Sequence, residues 1–289
     1  MKTNKSVLYI DLATREYSFK TIEGISTYIG GEVLGNFLLK SFIENTGIKQ
    51  ESNYFSLVSG PLNGVFPYTS KAVANFFSGG YKSSFVGGGK VGGFLNFSNL
   101  YAIEVVNSSE KPVYLEIKKG EVKFVNTNSN IRSLGLSGRR FIVEFEKDVF
   151  VDGVFSYGSN TLKNNLKGLV FSYDGEYSIK DLDDYNDVLE KIRSREKELL
   201  VSRSNNYSCL GCPMGCDFST SVDNSKTSAL TKSLVGCSFA DSIYSDINLV
   251  FLCFQSIGFS YNHEFLEQFP YSAGLLNKSL NELLESYKV

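Results

Sequence analysis

Cys209, Cys212 and Cys216 fall within one eight-residue run, Cys209-Leu210-Gly211-Cys212-Pro213-Met214-Gly215-Cys216. The C-x-x-C and C-x-x-x-C spacings share their middle cysteine, with small or turn-forming residues between. Such a loop can curl three thiolates around one soft metal centre. Three thiolates are one short of the four that hold a [4Fe–4S] cluster, and structural Zn²⁺ also takes four ligands. Spacing alone leaves iron–sulfur and zinc both open. Cys237 and Cys253 are candidate fourth ligands, with plain buried thiols as the alternative reading. The single histidine, His263, excludes any two-histidine metal site within one chain and lies at an expected helix start.

The second chemical candidate is the stretch from Ser78 to Gly93, which holds seven glycines and Lys90. Consecutive N–H groups without Cβ atoms can cradle an anion, and Lys90 can add charge. The stretch lacks the phosphate-loop signature, because Val91 follows Lys90. A tightly turned connection between strands is the competing reading.

Composition narrows the rest. Hydrophobic residues make up 42% and charged residues 21% of 289, and the net charge is −2. That balance gives no basic surface for nucleic acid or anionic membrane. No apolar run approaches the roughly 20 residues of a membrane span, and no secretory signal is visible. Five cysteines, three of them crowded together, read as a metal-binding and cytoplasmic set rather than a disulfide framework.

The elements that must position these residues are of two kinds. Up to about residue 180 period-two alternation predicts strands. A hairpin joins residues 7–10 to Tyr17 and Phe19. Another joins Val113, Leu115 and Ile117 to Val122 and Phe124. Residues 169–173 lead into a turn at Asp174-Gly175, with Tyr177 and Ile179 expected in the return strand. One helix is expected over residues 35–42. From residue 181 the signals become helical: one helix capped by Asp183-Asp184, one running from Ser245 or Asp246 to about Ile257, and one around residues 280–284. The expectation is an α+β protein, with a β-rich unit over 1–180 and an incomplete helical unit over 181–289.

Tyr28-Ile29-Gly30-Gly31, Ser59-Gly60-Pro61-Leu62-Asn63-Gly64, Ser78-Gly79-Gly80-Tyr81 and Lys111-Pro112-Val113-Tyr114-Leu115, in that order, resemble the N-terminal domain of the aldehyde ferredoxin oxidoreductases. Leu166-Lys167-Gly168-Leu169-Val170 is similar to the strand after that family's pterin-phosphate loop, and the cysteine run is similar to its cluster motif. The resemblance implies a tungsten or molybdenum bis-pyranopterin beside a [4Fe–4S] cluster. It also implies aldehyde oxidation to carboxylic acids, with electrons passed to ferredoxin. It assigns pterin contacts to Gly79, Gly80, Tyr81, Gly87, Gly88, Gly89 and Lys90 and cluster ligation to Cys209, Cys212 and Cys216. It assigns no catalytic residue. Three positions depart from the family: Glu32 stands where its Arg is expected after Gly-Gly, Phe85 where an Asn is expected, and the phosphate loop is reduced to Tyr157-Gly158-Ser159-Asn160-Thr161. Family members are longer, so a separate chain is an expected partner. The alternatives are a non-catalytic iron–sulfur subunit and a zinc-stapled binding module.

Overall fold

A computed structural model describes residues 6–21, 28–47, 53–78, 80–86, 90–157, 162–175, 178–179, 181–199 and 227–287. Two six-stranded mixed sheets face one another. The first contains β1 (Ser6–Asp11), β2 (Glu16–Lys20), β3 (Asn53–Val58), β4 (Ala72–Ser78), β5 (Tyr81–Val86) and β6 (Leu100–Val106), in the order β2-β1-β6-β3-β4-β5. The second contains β7 (Val113–Lys118), β8 (Glu121–Asn126), β9 (Arg140–Phe145), β10 (Val149–Val151), β11 (Val154–Tyr157) and β12 (Leu166–Ser172), in the order β11-β10-β9-β12-β7-β8. One pair in each is parallel, β1 with β6 and β12 with β7.

Alternation fixes the facing surfaces. In β7, Val113, Leu115 and Ile117 are buried while Tyr114, Glu116 and Lys118 are partly exposed. These inward residues meet Leu8, Ile10, Phe55, Leu57, Ile103 and Val105 of the first sheet in one apolar layer. Phe55 and Phe145 touch edge to face across it, with ring centroids 5.0 Å apart. Each such aromatic, fully buried, contributes on the order of 2–3 kcal/mol from area alone.

The strands β3, β4 and β6 are buried on both faces, and they read as nearly unbroken apolar runs. Their second face lies under α1 (Gly31–Thr46), which sets down Leu34, Leu38, Leu39 and Ile43. The expected helix over 35–42 is therefore the middle of a longer one. A short helix, α2 (Val91–Phe97), follows β5 and packs on the inter-sheet core through Val91 and Leu95.

The remaining helices build a second apolar core around Ile192, Leu234, Ile243, Tyr244, Val250 and Phe254. They are α3 (Leu182–Ser194), α4 (Ala229–Leu234), α5 (Asp241–Tyr244), α6 (Ile247–Ser256) and α7 (His263–Ser286). Asp181, not Asp183 or Asp184, caps α3, its carboxylate accepting from Asp184 N at 3.0 Å. Asp246 caps α6 as expected. The C-terminal helix begins at His263 and is far longer than the segment expected at 280–284. Of the return strand expected after Asp174-Gly175, Ser178 and Ile179 are not strand and Tyr177 lies outside the described residues. Among the described residues, no helix is long and apolar enough to cross a membrane.

Candidate functional site

The Gly30-Gly31 pair meets the helical part at a backbone-to-backbone junction. A Cβ on Gly31 would sit 2.2 Å from the Lys232 carbonyl oxygen and 2.9 Å from that of Ser233. One on Gly60 would lie 2.7 Å from the Leu234 carbonyl. The C-terminal end of α4 thus fills the space that these glycines leave. Gly31 has φ +52°, and Ile29 and Val235 at the same junction take φ values of +56° and +54°. For β-branched residues that conformation costs roughly 1–2 kcal/mol each, so the surrounding packing must hold it. Glu32 points its carboxylate at Lys232, with Oε2 to Nζ at 3.5 Å. That is a charge contact, longer than a good hydrogen bond.

A second knot lies beside it in the loop between β3 and β4. The Asn63 side chain accepts from Gly60 N and donates to the carbonyls of Thr69 and Lys71. Asn96 of α2 donates to the carbonyls of Pro61 and Asn63, at 2.9 and 3.0 Å. A Cβ on Gly92 would fall 2.7 Å from the Asn63 amide. These glycines give room to the chain's own groups.

Three of the seven residues assigned from the glycine-rich stretch are described. Gly79, Gly87, Gly88 and Gly89 lie outside the described residues. Gly80 faces open space, with nothing within 4 Å of a Cβ placed there. The Tyr81 hydroxyl turns inward, donating to Asn36 Oδ1 or to Asn75 Oδ1. Lys90 is exposed and donates to the Gly138 carbonyl at 3.0 Å. Tyr81 and Lys90 thus bond to different parts of the chain, Tyr81 to Asn36 and Asn75 and Lys90 to Gly138.

Tyr81 belongs to a polar row that the sequence reading missed. Tyr9, Glu104, Ser56 and Asn75 stand in register across β1, β6, β3 and β4. The row runs between two apolar clusters beneath α1. Asn75 donates to Ser56 Oγ at 3.2 Å, Tyr54 donates to Glu104 at 2.8 Å, and Asn36 donates to Asn277 of α7 at 2.8 Å. Gly35 makes room for the Asn75 amide, which would stand 2.1 Å from a Cβ there. Burial pushes the Glu104 carboxyl up to about 7, with the Tyr54 hydroxyl and the Lys20 ammonium opposing the shift. The available signal was a polar residue in the middle of an otherwise apolar strand.

Cys209, Cys212 and Cys216 lie outside the described residues. Their described flanks converge. The Ser242 hydroxyl donates to the Glu198 carbonyl at 3.2 Å, and Ser228 N donates to the Asp241 carboxylate at 3.1 Å. Consecutive residues of α5 therefore hold both flanks. Cys237 and Cys253 are both buried. Cys237 N donates to the Tyr68 carbonyl at 2.7 Å, and Cys237 begins the turn that leads into α5. Burial raises the Cys253 thiol far above its usual range, which disfavours the thiolate a metal needs. Among the described residues, no group of three or more His, Cys, Asp or Glu side chains is placed to hold a metal. His263 bonds Asn248 at 2.9 Å and faces Glu267 at 3.3 Å, in a helix-start role.

A pterin would need an open glycine cradle with cationic groups around it. Of the seven positions given to it by resemblance, only Gly80, Tyr81 and Lys90 are described. The Gly30, Gly31 and Gly60 surface is filled by α4, Glu32 brings negative charge that is matched to Lys232, and Lys90 is turned to a backbone carbonyl.

Residues 7–138 match the family described as aldehyde ferredoxin oxidoreductase, N-terminal domain. No curated protein matches the chain. Among solved structures, the chain is similar to one titled "Active site complex BamBC of Benzoyl Coenzyme A reductase in complex with 1,5 Dienoyl-CoA", with 17% identity and a TM-score of 0.56. The likeness covers 73% of this chain and 37% of that one. At this identity it is a likeness of fold, over little more than a third of the neighbour's length.

Proposed function

From the premise that the chain carries an aldehyde ferredoxin oxidoreductase N-terminal domain, a domain of tungsten- and molybdenum-pterin oxidoreductases, we propose that it serves as an iron–sulfur electron-transfer subunit. The observation that carries this reading is the filled junction: the chain's own α4 backbone takes the space at Gly31 and Gly60. In this reading Cys209, Cys212 and Cys216 supply three thiolates to a [4Fe–4S] cluster, and the domain reading of 1–180 and 181–289 places the loop in the helical unit. Cys237 is better suited than Cys253 to be the fourth ligand, because it adjoins α5, where both flanks of the loop are bonded. A cysteine of a separate chain is the other source. Electrons would pass singly between ferredoxin and a partner chain that holds the catalytic centre. A reducing, cytoplasmic setting goes with cysteines used as metal ligands.

The domain match itself favours a second reading. There the chain helps bind a tungsten or molybdenum pterin, an aldehyde and water give a carboxylate, three protons and two electrons, and the electrons leave for ferredoxin. Metal analysis of protein purified without oxygen separates the two. Iron and sulfide at about four per chain without tungsten or molybdenum is the expected result. Stoichiometric tungsten or molybdenum, with aldehyde-dependent reduction of ferredoxin, would overturn the first reading in favour of the second. One zinc per chain and no iron would sink both and leave a zinc-stapled module, whose helical part should unfold in Cys209→Ser.

A further inference from the structure

Among the described residues, the strand β2 forms one outer edge of the first sheet and pairs with β1 alone. All five of its residues, Glu16-Tyr17-Ser18-Phe19-Lys20, are exposed. Tyr17 and Phe19 are 40% and 48% exposed, unusual for aromatics on a strand. Their partners in register, Ile10 and Leu8, point into the inter-sheet core, so both rings project from that face at its open margin. Glu16, Ser18 and Lys20 lie on the opposite face.

A sheet edge with unpaired backbone groups is a template for another strand unless something blocks it. No proline, bulge or central charge blocks this one: the β1–β2 register runs unbroken, and the middle residue is Ser18. The other exposed edge differs. Lys123 stands in the middle of β8, so a two-fold pairing about it would set ammonium against ammonium. On the remaining side β5 runs beside β11, which lies at the facing edge of the second sheet.

The sequence of β2 is complementary to itself when read antiparallel. About a two-fold axis through Ser18, Glu16 meets Lys20 of the second copy and Lys20 meets its Glu16. Tyr17 meets Phe19 of the second copy on the other face, and Ser18 meets Ser18. Opposite charges and aromatic pairs are the cross-strand partners that stabilise antiparallel sheets, and an isologous interface requires this reciprocity. Glu16 forms no ion pair among the described residues, which leaves it available. Lys20 lies with Nζ 3.1 Å from the centroid of the Tyr9 ring, on the face where Glu16 of a second copy would arrive.

We propose that β2 is a homodimerisation edge, pairing antiparallel with β2 of a second copy to form a continuous twelve-stranded sheet. This proposal is independent of the electron-transfer reading, since it uses no residue of the cysteine loop.

Sedimentation velocity over a concentration series tests it. The wild-type chain is expected to show a monomer–dimer equilibrium. Glu16→Lys, which turns two attractive pairs into two repulsive ones, is expected to raise the dissociation constant at least tenfold. Ser18→Lys and Ser18→Glu each place like charges on the axis and should be monomeric alone, while a mixture of the two should dimerise. Circular dichroism checks that each variant is folded. A wild-type monomer at every soluble concentration would overturn the proposal, as would a dimer that Glu16→Lys leaves unchanged or a mixture that stays monomeric.

Discussion

Gly31→Ala should separate the junction between the sheets and the helical part. The new methyl carbon would lie 2.2 Å from the Lys232 carbonyl oxygen and 2.9 Å from both the Ser233 oxygen and Val235 Cγ2, where ordinary contact begins near 3.4 Å. More than an ångström of movement is needed, and two of the three obstacles are backbone. Forced overpacking of this kind costs about 1–3 kcal/mol, and φ +52° adds roughly 1–2 kcal/mol for any residue with a Cβ. The expected destabilisation is about 3 kcal/mol or more. Gly47→Ala is the control, because Gly47 has φ +64° and nothing within 4 Å of a Cβ, so only the backbone term of about 1 kcal/mol applies. Urea unfolding followed by circular dichroism and tyrosine fluorescence measures both, since the chain has 17 Tyr and no Trp. Equal losses in the two variants would refute the reasoning, for then α4 would not be pressed against Gly31.

Two further perturbations test the polar interior. Glu104, 6% exposed, has its carboxyl pushed up to about 7 by burial, against 4.5 for the free group. A raised acid holds its proton more tightly when folded, so the stability is complete below about pH 4.5 and is lost as pH rises toward 7. That loss amounts to about 3 kcal/mol, and Glu104→Gln should remove the slope in a pH series of unfolding midpoints. Asn63→Ala strands the Gly60 N–H and leaves the Thr69 and Lys71 carbonyls without their shared donor, at an expected cost of about 2–4 kcal/mol by thermal unfolding. A change under about 0.5 kcal/mol there would show that the loop between β3 and β4 is held by other groups.

The α+β architecture was legible where one face is wet. The β7–β8 hairpin follows from period-two alternation, because Glu116, Lys118, Glu121 and Lys123 mark outward positions. The strands β4 and β6 lack that contrast, since α1 and α2 cover what the opposite sheet leaves open. In α7 the apolar residues Leu266, Phe269, Ala273, Leu276 and Leu280 recur at helical spacing, but Pro270 and Gly274 break the propensity signal and packing overrides it. Within the candidate site, a missing Cβ has the same appearance in sequence whether it admits a ligand or a neighbouring backbone. Only the fold shows that Gly31 and Gly60 admit α4. Glu32 was visible as a departure, but its partner Lys232 lies 200 positions away and no local rule joins them.

The filled junction has a positive role once the flanks of the cysteine loop are considered with it. Ser228 caps α4, accepting from Thr231 N, and its own N–H is held by Asp241. The far end of the same short helix is locked against Gly31 and Gly60. A six-residue helix therefore joins one flank of the loop to the first sheet with no flexible link between them. The other flank reaches the same frame through Arg195, which pairs with Asp246 at 2.7 Å and donates to the Ser242 carbonyl at 2.7 Å. Strain at Ile29 and Val235 persists only if the contacts around it are fixed. Gly31 and Gly60 thus act, in this chain, to seat α4 against the sandwich.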